Sequence, residues 1–209
     1  METNLISNST KTRNDILHSA KEEFLKNGFS RGSLRTIASN AGVTTGALYR
    51  HFKDKNSLFE AIVSPVYNGF FQKYQDACTI FFEKLKTDGL DPMWKKETNA
   101  TEEVIGYLYE NLEIFRLLIT GAEYSTYENF THSIIDLEVK MTKKYLELSK
   151  EYGYTHRGIS DTELHIFVNS QFSCIFEMIL HNIPKKEALN LSKDIVKFFR
   201  AGWYALLME

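Results

Sequence analysis

A chain of 209 residues that is 43% hydrophobic and 25% charged carries enough apolar content for a sizeable core, which excludes a disordered chain. The formal net charge of −2 conceals a division: residues 1–62 hold nine Lys and Arg against six Asp and Glu, and residues 63–209 hold sixteen against twenty-one. No apolar run of signal-peptide length opens the chain and none approaches the roughly 20 residues that span a bilayer, so no membrane role is expected and the expected compartment is the cytoplasm.

Nearly all of the chain reads as helix, with three prolines, eleven glycines, no alternating strand pattern and no internal repeat. The first predicted helix, about Thr10 to Asn27, buries Ile16, Leu17, Ala20, Phe24 and Leu25, and Gly28 closes it. Ser33 then offers a capping hydroxyl, and Leu34, Ile37, Ala38 and Ala41 mark one face of a helix over about 33–41. Gly42 ends that helix in the left-handed region, and Thr44 or Thr45 caps a second short helix over about 45–52. Leu48 and Phe52, four apart, supply the stripe that docks on Ile37 and Ala38. Thr45, Gly46, Ala47, Tyr49, Arg50 and His51 are left toward the outside or the rim.

Two short helices joined by a turn of about four residues make a helix-turn-helix, whose second helix enters the major groove while flanking groups hold the DNA backbone. Small residues at Gly46 and Ala47 let the backbone approach base edges, Thr45 donates or accepts there, and the Ala47 methyl suits a thymine methyl. Tyr49, Arg50, His51 and Lys55 carry donors where phosphates would lie. Between Asn27 and Leu58 the cations Arg31, Arg35, Arg50, Lys53 and Lys55 face only Asp54, so this is the candidate DNA end.

Ser33, Ile37-Ala38, Ala41-Gly42-Val43, Gly46, Leu48-Tyr49, His51-Phe52, Lys55 and Leu58, spread over about a quarter of the chain, resemble the N-terminal domain of the TetR family of transcriptional regulators. The resemblance implies that Thr44, Thr45, Gly46 and Ala47 approach bases and that Ser33, Tyr49, His51 and Lys55 bind phosphates; Arg35 and Arg50 complete the expected DNA-binding set. It implies an all-α fold, with a three-helix DNA-binding domain over 1–62 and a larger helical bundle over 63–209 for ligand binding and dimerisation. The implied function is a ligand-responsive repressor that binds a pseudo-palindromic DNA operator as a homodimer and is released by a small molecule. Activation by the same fold, or a helical adaptor that no longer binds DNA, are the alternatives; an adaptor would have neutralised the phosphate positions, yet Tyr49, His51 and Lys55 all stand.

Farther along, Asp54 caps a fourth helix carrying Leu58, Phe59, Ile62 and Val63, and Pro65 either kinks it into Val66–Leu85 or ends it. Lys86–Ala100, around Trp94, reads as a loop. Helical stretches follow at 101–111 and 112–120, broken near Gly121. A long helix carries Tyr127, Phe130, Ile134, Leu137, Met141, Tyr145 and Leu148, and Gly153 and Gly158 bound the next turn. Ser160 with Glu163 makes a capping box for a helix over about 161–182, and Pro184 opens the last helix, 185–208.

The last two helices carry apolar residues on more than one face, and a two-fold bundle between copies would cover the surplus, with Phe172, Ile175, Ile179, Ile195, Phe198, Phe199 and Trp203 at the expected dimer interface. A ligand pocket is expected among Trp94, Tyr107, Phe115, Tyr124, Tyr127, Phe130, Phe172 and Phe176, with Glu110, Glu123 or Glu177 available to a cationic ligand. Cys78 and Cys174 lie too far apart for metal-type spacing and are expected as small buried side chains. His18, His51, His132, His156, His165 and His181 show no metal-ligand spacing, and no nucleophile elbow or phosphate loop occurs, so no catalytic residue, metal or cofactor is expected.

Overall fold

The periodicities just described become nine helices among the residues that the computed structural model describes, 2–88, 100–153 and 155–208, and no strand occurs among them. They are α1 Glu2–Arg31, α2 Leu34–Asn40, α3 Thr45–His51, α4 Lys55–Asp88, α5 Ala100–Glu110, α6 Leu112–Thr120, α7 Phe130–Glu151, α8 Asp161–Leu180 and α9 Lys185–Met208. The fold is all-α, as expected. Pro65 interrupts nothing: it sits exposed inside α4, which runs on to Asp88. Trp94 and most of its predicted loop lie outside the described residues. Tyr127 belongs to the turn before α7, so that helix begins three residues later than its apolar stripe.

By internal contacts the chain forms two compact units, residues 1–68 with 113–130, and residues 69–112 with 131–209. In the first, Ile16, Ala20 and Phe24 of α1, Ile37 of α2, Leu48 of α3 and Leu58 and Phe59 of α4 are all buried to within 1% exposure. The Phe59 ring meets Phe24 at 5.3 Å and Phe29 at 5.1 Å, both edge to face, and lies 6.2 Å from Tyr127. Such pairs add to area burial through the quadrupoles of the rings.

Segment 113–130 joins this unit through backbone as well as side chains. Gly28 leaves the helical region at φ 71°, which turns the chain so that the Phe29 N–H donates to the Gly121 carbonyl at 2.7 Å. A Cβ on Gly121 would lie 2.7 Å from Leu117 Cδ1 and 3.4 Å from the Gly28 Cα, so two glycines allow the backbones to touch. The Lys21 ammonium meets Glu113 at 2.8 Å, and the Thr126 N–H donates to Asn56 Oδ1 at 3.3 Å.

In the second unit α9 packs against α5 and α8. Lys193 pairs with Glu102 at 2.8 Å and Lys185 with Glu110 at 3.6 Å across the α9–α5 seam, whose interior holds Ile105, Leu108 and Ala188. A second cluster forms where Phe82 and Leu85 of α4, flanked by Cys78 and Phe81, meet Met141, Tyr145 and Leu148 of α7. Cys78 and Cys174 are half-buried rather than enclosed.

The loop into α8 is anchored by Arg157, whose Nε donates to the Leu206 carbonyl at 2.8 Å. Both halves of the expected capping box form: the Ser160 hydroxyl accepts from the Glu163 N–H at 3.2 Å, and the Glu163 carboxylate accepts from the Ser160 N–H at 2.9 Å. The Ser160 N–H, then its hydroxyl, then Arg157 hold the Glu163 carboxyl at about 2, against an ordinary 4.5. A depressed folded-state value contributes stability that is complete above the ordinary value and lost as pH falls through the depressed one. Between pH 4.5 and 2 the thermal midpoint of the wild type is therefore expected to fall more steeply than that of Glu163→Gln, and identical slopes in a pH series of melting curves would refute the box as an acid-sensitive tie.

Candidate nucleic-acid interface

The α2–turn–α3 unit is closed by hydrogen bonds that its sequence dictates. The Ser33 hydroxyl accepts from the Thr36 N–H at 3.2 Å and caps α2. At the other end Gly42, at φ 68°, lets its own N–H reach the Ser39 carbonyl and the Val43 N–H reach the Ala38 carbonyl at 2.9 Å. This double closure needs a left-handed residue at position 42. Of the two candidate caps for α3, Thr44 takes the role, its Oγ1 accepting from the Ala47 N–H at 3.1 Å, and Thr45 remains exposed. Both threonines are exposed; the Thr44 oxygen already accepts from Ala47, and Thr45 carries the hydroxyl that the cap does not use.

Helix α1 braces this unit through two polar ties. The buried Ser19 hydroxyl donates to the Ile37 carbonyl at 3.0 Å, and the buried Glu23 carboxylate accepts from the Ser33 N–H at 2.9 Å. Nothing in the helical pattern of α1 singles out Glu23, because it stands beside Phe24 at the rim of the apolar face. Its charge also supports Lys55, whose Nζ donates to the Ser30 carbonyl at 3.0 Å and lies 4.9 Å from the Phe29 ring centroid. Burial pulls the Lys55 ammonium below its ordinary value, with Glu23 opposing. An ammonium has three donors, so one bond to Ser30 leaves two for an external acceptor.

Leu48 and Phe52 are buried, which turns the remaining positions of α3 outward. Thr45, Gly46 and Arg50 are exposed, Tyr49 is 50% exposed, and Ala47 and His51 lie at the rim. Arg35 on α2 is exposed, and Ser33 is half-buried at its cap. The start of α4 adds a reciprocal cap: Asp54 Oδ1 accepts from the Ser57 N–H at 2.7 Å and the Asp54 N–H donates to the Ser57 hydroxyl at 3.0 Å. The Ser57 N–H holds the Asp54 carboxyl below its ordinary value. The surface therefore combines small residues, hydroxyls and cations on one short helix and its neighbours.

The aromatic residues expected around a pocket divide between the units. Phe115 and Phe130 are buried in the first with ring centroids 5.9 Å apart, Tyr127 sits between Phe59 and Tyr67, and Tyr124 is 71% exposed. Tyr107, Phe172 and Phe176 lie in the second, where a Cβ at Gly69 would collide with the Tyr107 hydroxyl and the Phe172 and Phe176 rings stand 6.2 Å apart. Glu110 and Glu177 are exposed and paired with Lys185 and His181 respectively, and Glu123 is exposed.

Of the expected interface residues, Phe172 and Ile179 are buried within the second unit, while Ile175, Ile195 and Phe199 are half-buried. Trp203 stacks edge to face on Phe167 at 5.7 Å and donates to Gln171 at 3.3 Å. Phe198 is 73% exposed, and Ile166, Phe167, Leu191 and Tyr204 add to the apolar surface of α8 and α9. No helix among the described residues is long and apolar enough to cross a membrane.

Residues 16–62 match the family described as bacterial regulatory proteins, tetR family. A stretch of 55 residues is 44% identical to the HTH-type transcriptional repressor BepR of Brucella suis biovar 1, covering 26% of each chain. Another of 52 residues is 52% identical to the HTH-type transcriptional regulator AcrR of Shigella flexneri, covering 25% of this chain and 24% of that protein. The match thus spans about a quarter of the length of these curated relatives. The fold as a whole is similar to NalD, described as the secondary repressor of the MexAB-OprM multidrug efflux pump in Pseudomonas aeruginosa, with a TM-score of 0.61 at 22% identity over 93% of this chain and 97% of that one. At that identity the likeness concerns the fold alone.

Proposed function

We infer that this chain, whose N-terminal domain belongs to the TetR family of bacterial regulatory proteins, is a cytoplasmic transcriptional repressor that grips a pseudo-palindromic operator as a homodimer and lets go when a small molecule binds. The observation that carries the reading is the outer face of α3, where Thr45, Gly46, Tyr49 and Arg50 stand exposed above a buried Leu48 and Phe52. Thr45, Gly46 and Ala47 meet base edges, while Ser33, Arg35, Tyr49, Arg50, His51 and Lys55 hold phosphates.

Two such helices read successive major grooves when their centres lie about 34–36 Å apart, one turn of DNA. The apolar surface of α8 and α9 supports pairing of two copies. A ligand that prefers a different spacing of the heads shifts the population away from the DNA-bound state, and only by as much as its affinities for the two states differ. Helix α4 is the mechanical link, since it begins beside Lys55 in the head and continues to Asp88 in the second unit.

Selection of duplexes from a random pool followed by footprinting is expected to yield a pseudo-palindrome. On that duplex, Lys55→Ala is expected to lower the slope of log affinity against log salt by about 1, as loss of one phosphate contact requires. Tyr49→Phe, which removes only a hydroxyl, is expected to weaken binding by about 1 kcal/mol. Unchanged affinity and slope in both variants would refute this assignment of contacts.

A further inference from the structure

The junction of α1 and α2, residues 28–33, is fixed at three points. Gly32 rests on the Phe24 ring, where a Cβ would come within 2.6 Å of Phe24 Cδ1. The Ser33 N–H donates to Glu23 at 2.9 Å, and the Ser30 carbonyl accepts from Lys55 Nζ at 3.0 Å. Two of the groups assigned above to phosphates are set by these contacts. The Ser33 hydroxyl accepts from the Thr36 N–H at 3.2 Å, which leaves its own proton to be donated elsewhere, and Lys55 keeps two of its three donors.

Folding alone does not call for an acid at Glu23. The residue is 8% exposed beside a fully buried Phe24, and exchanging a buried charged group for an apolar one of similar volume is often neutral or stabilising. Simple repulsion also speaks against it, since a carboxylate in the head opposes the approach of DNA phosphates. A carboxylate that holds donors in place answers both objections. Burial works against the charge of Lys55, and Glu23 offsets it.

We propose that Glu23 is a positioning residue for DNA binding: it holds the Ser33 backbone and the Lys55 ammonium ready for phosphates, so that an acid strengthens the grip on a polyanion. Donors fixed before the duplex arrives lose less freedom on binding than donors that must be ordered by it. This role rests on the phosphate contacts inferred above for Ser33 and Lys55.

The test is fluorescence anisotropy of the full-length protein with the selected duplex, comparing wild type, Glu23→Gln, Lys55→Ala and the double variant at temperatures where circular dichroism shows each to be folded. The amide keeps an acceptor for the Ser33 N–H and removes the charge. Glu23→Gln is expected to weaken binding about tenfold, the order of one charge-assisted hydrogen bond. In the Lys55→Ala background the same change is expected to cost less than about twofold, because the cation that the carboxylate serves is gone. Glu22→Gln, which removes a solvated acid from the same helix, is expected to bind as the wild type does or tighter. Glu23→Leu suits the apolar rim and covers the case in which the amide folds poorly; its penalty is expected to be larger and to persist in part without Lys55, since the Ser33 tie is lost as well. Glu23→Gln or Glu23→Leu binding as tightly as wild type, as repulsion alone requires, overturns the role, and so does a penalty for Glu23→Gln that is equal with and without Lys55, which marks general support of the fold. Lys55→Ala with unchanged affinity and salt slope refutes the phosphate contact itself, and Glu23 falls with it; weak binding by Lys55→Ala beside full binding by Glu23→Gln refutes Glu23 alone.

Discussion

Phe59→Ala is expected to destabilise the reading head by about 3–5 kcal/mol, the range for removing a fully enclosed aromatic ring. Phe59 has no exposed surface and lies within ring contact of Phe24, Phe29 and Tyr127, which come from α1 before its kink at Gly28, α1 after that kink and the turn before α7. Its loss leaves a cavity bordered by three separate stretches of chain that cannot close on it together. Domains of this size hold about 5–15 kcal/mol in total, so the head would become marginal while the second unit keeps its core. Urea denaturation followed by circular dichroism checks this, with DNA affinity falling in parallel; a loss below about 1 kcal/mol would show that the ring cluster does not organise the head.

Phe198→Glu is expected to act in the opposite place, on association and not on folding. The side chain is 73% exposed in the single chain, so a carboxylate there leaves the protomer's own core untouched. In a two-fold interface the same residue meets the partner's apolar surface, and two copies of the charge would be brought together without water. Sedimentation is expected to show the dimer replaced by monomer. Because linking two heads raises affinity by about 10²–10⁴ over one head, binding to the palindrome is expected to fall by that factor, whereas binding to a single half-site is little changed. A variant that remains dimeric would rule out Phe198 as an interface residue.

The head was legible because its signals are local. Caps at Ser33 and Asp54, left-handed glycines at 28 and 42 and the 48/52 stripe each depend on neighbours within a few residues, and they appear in the structure within one or two residues of where the sequence puts them. The capping box at Ser160 belongs to the same class. What could not be read depends on contacts between distant segments. Glu23 as the partner of the Ser33 N–H lies ten residues away, and a carboxylate beside Phe24 looks like any solvated flank. Apolar periodicity marks Phe115, Tyr127 and Phe130 as inward-facing without saying which unit they enter, and Pro65 left open whether α4 would bend or stop.

The return of residues 113–130 to the head has a consequence for how such proteins can be recombined. A graft of residues 1–68 onto a foreign bundle would strip Phe59 of the Tyr127 ring, leave the Phe29 amide without the Gly121 carbonyl and part Lys21 from Glu113. Exchange of DNA specificity between relatives must therefore move two stretches of gene at once, or else confine itself to the few surface positions of α3 that no other segment touches.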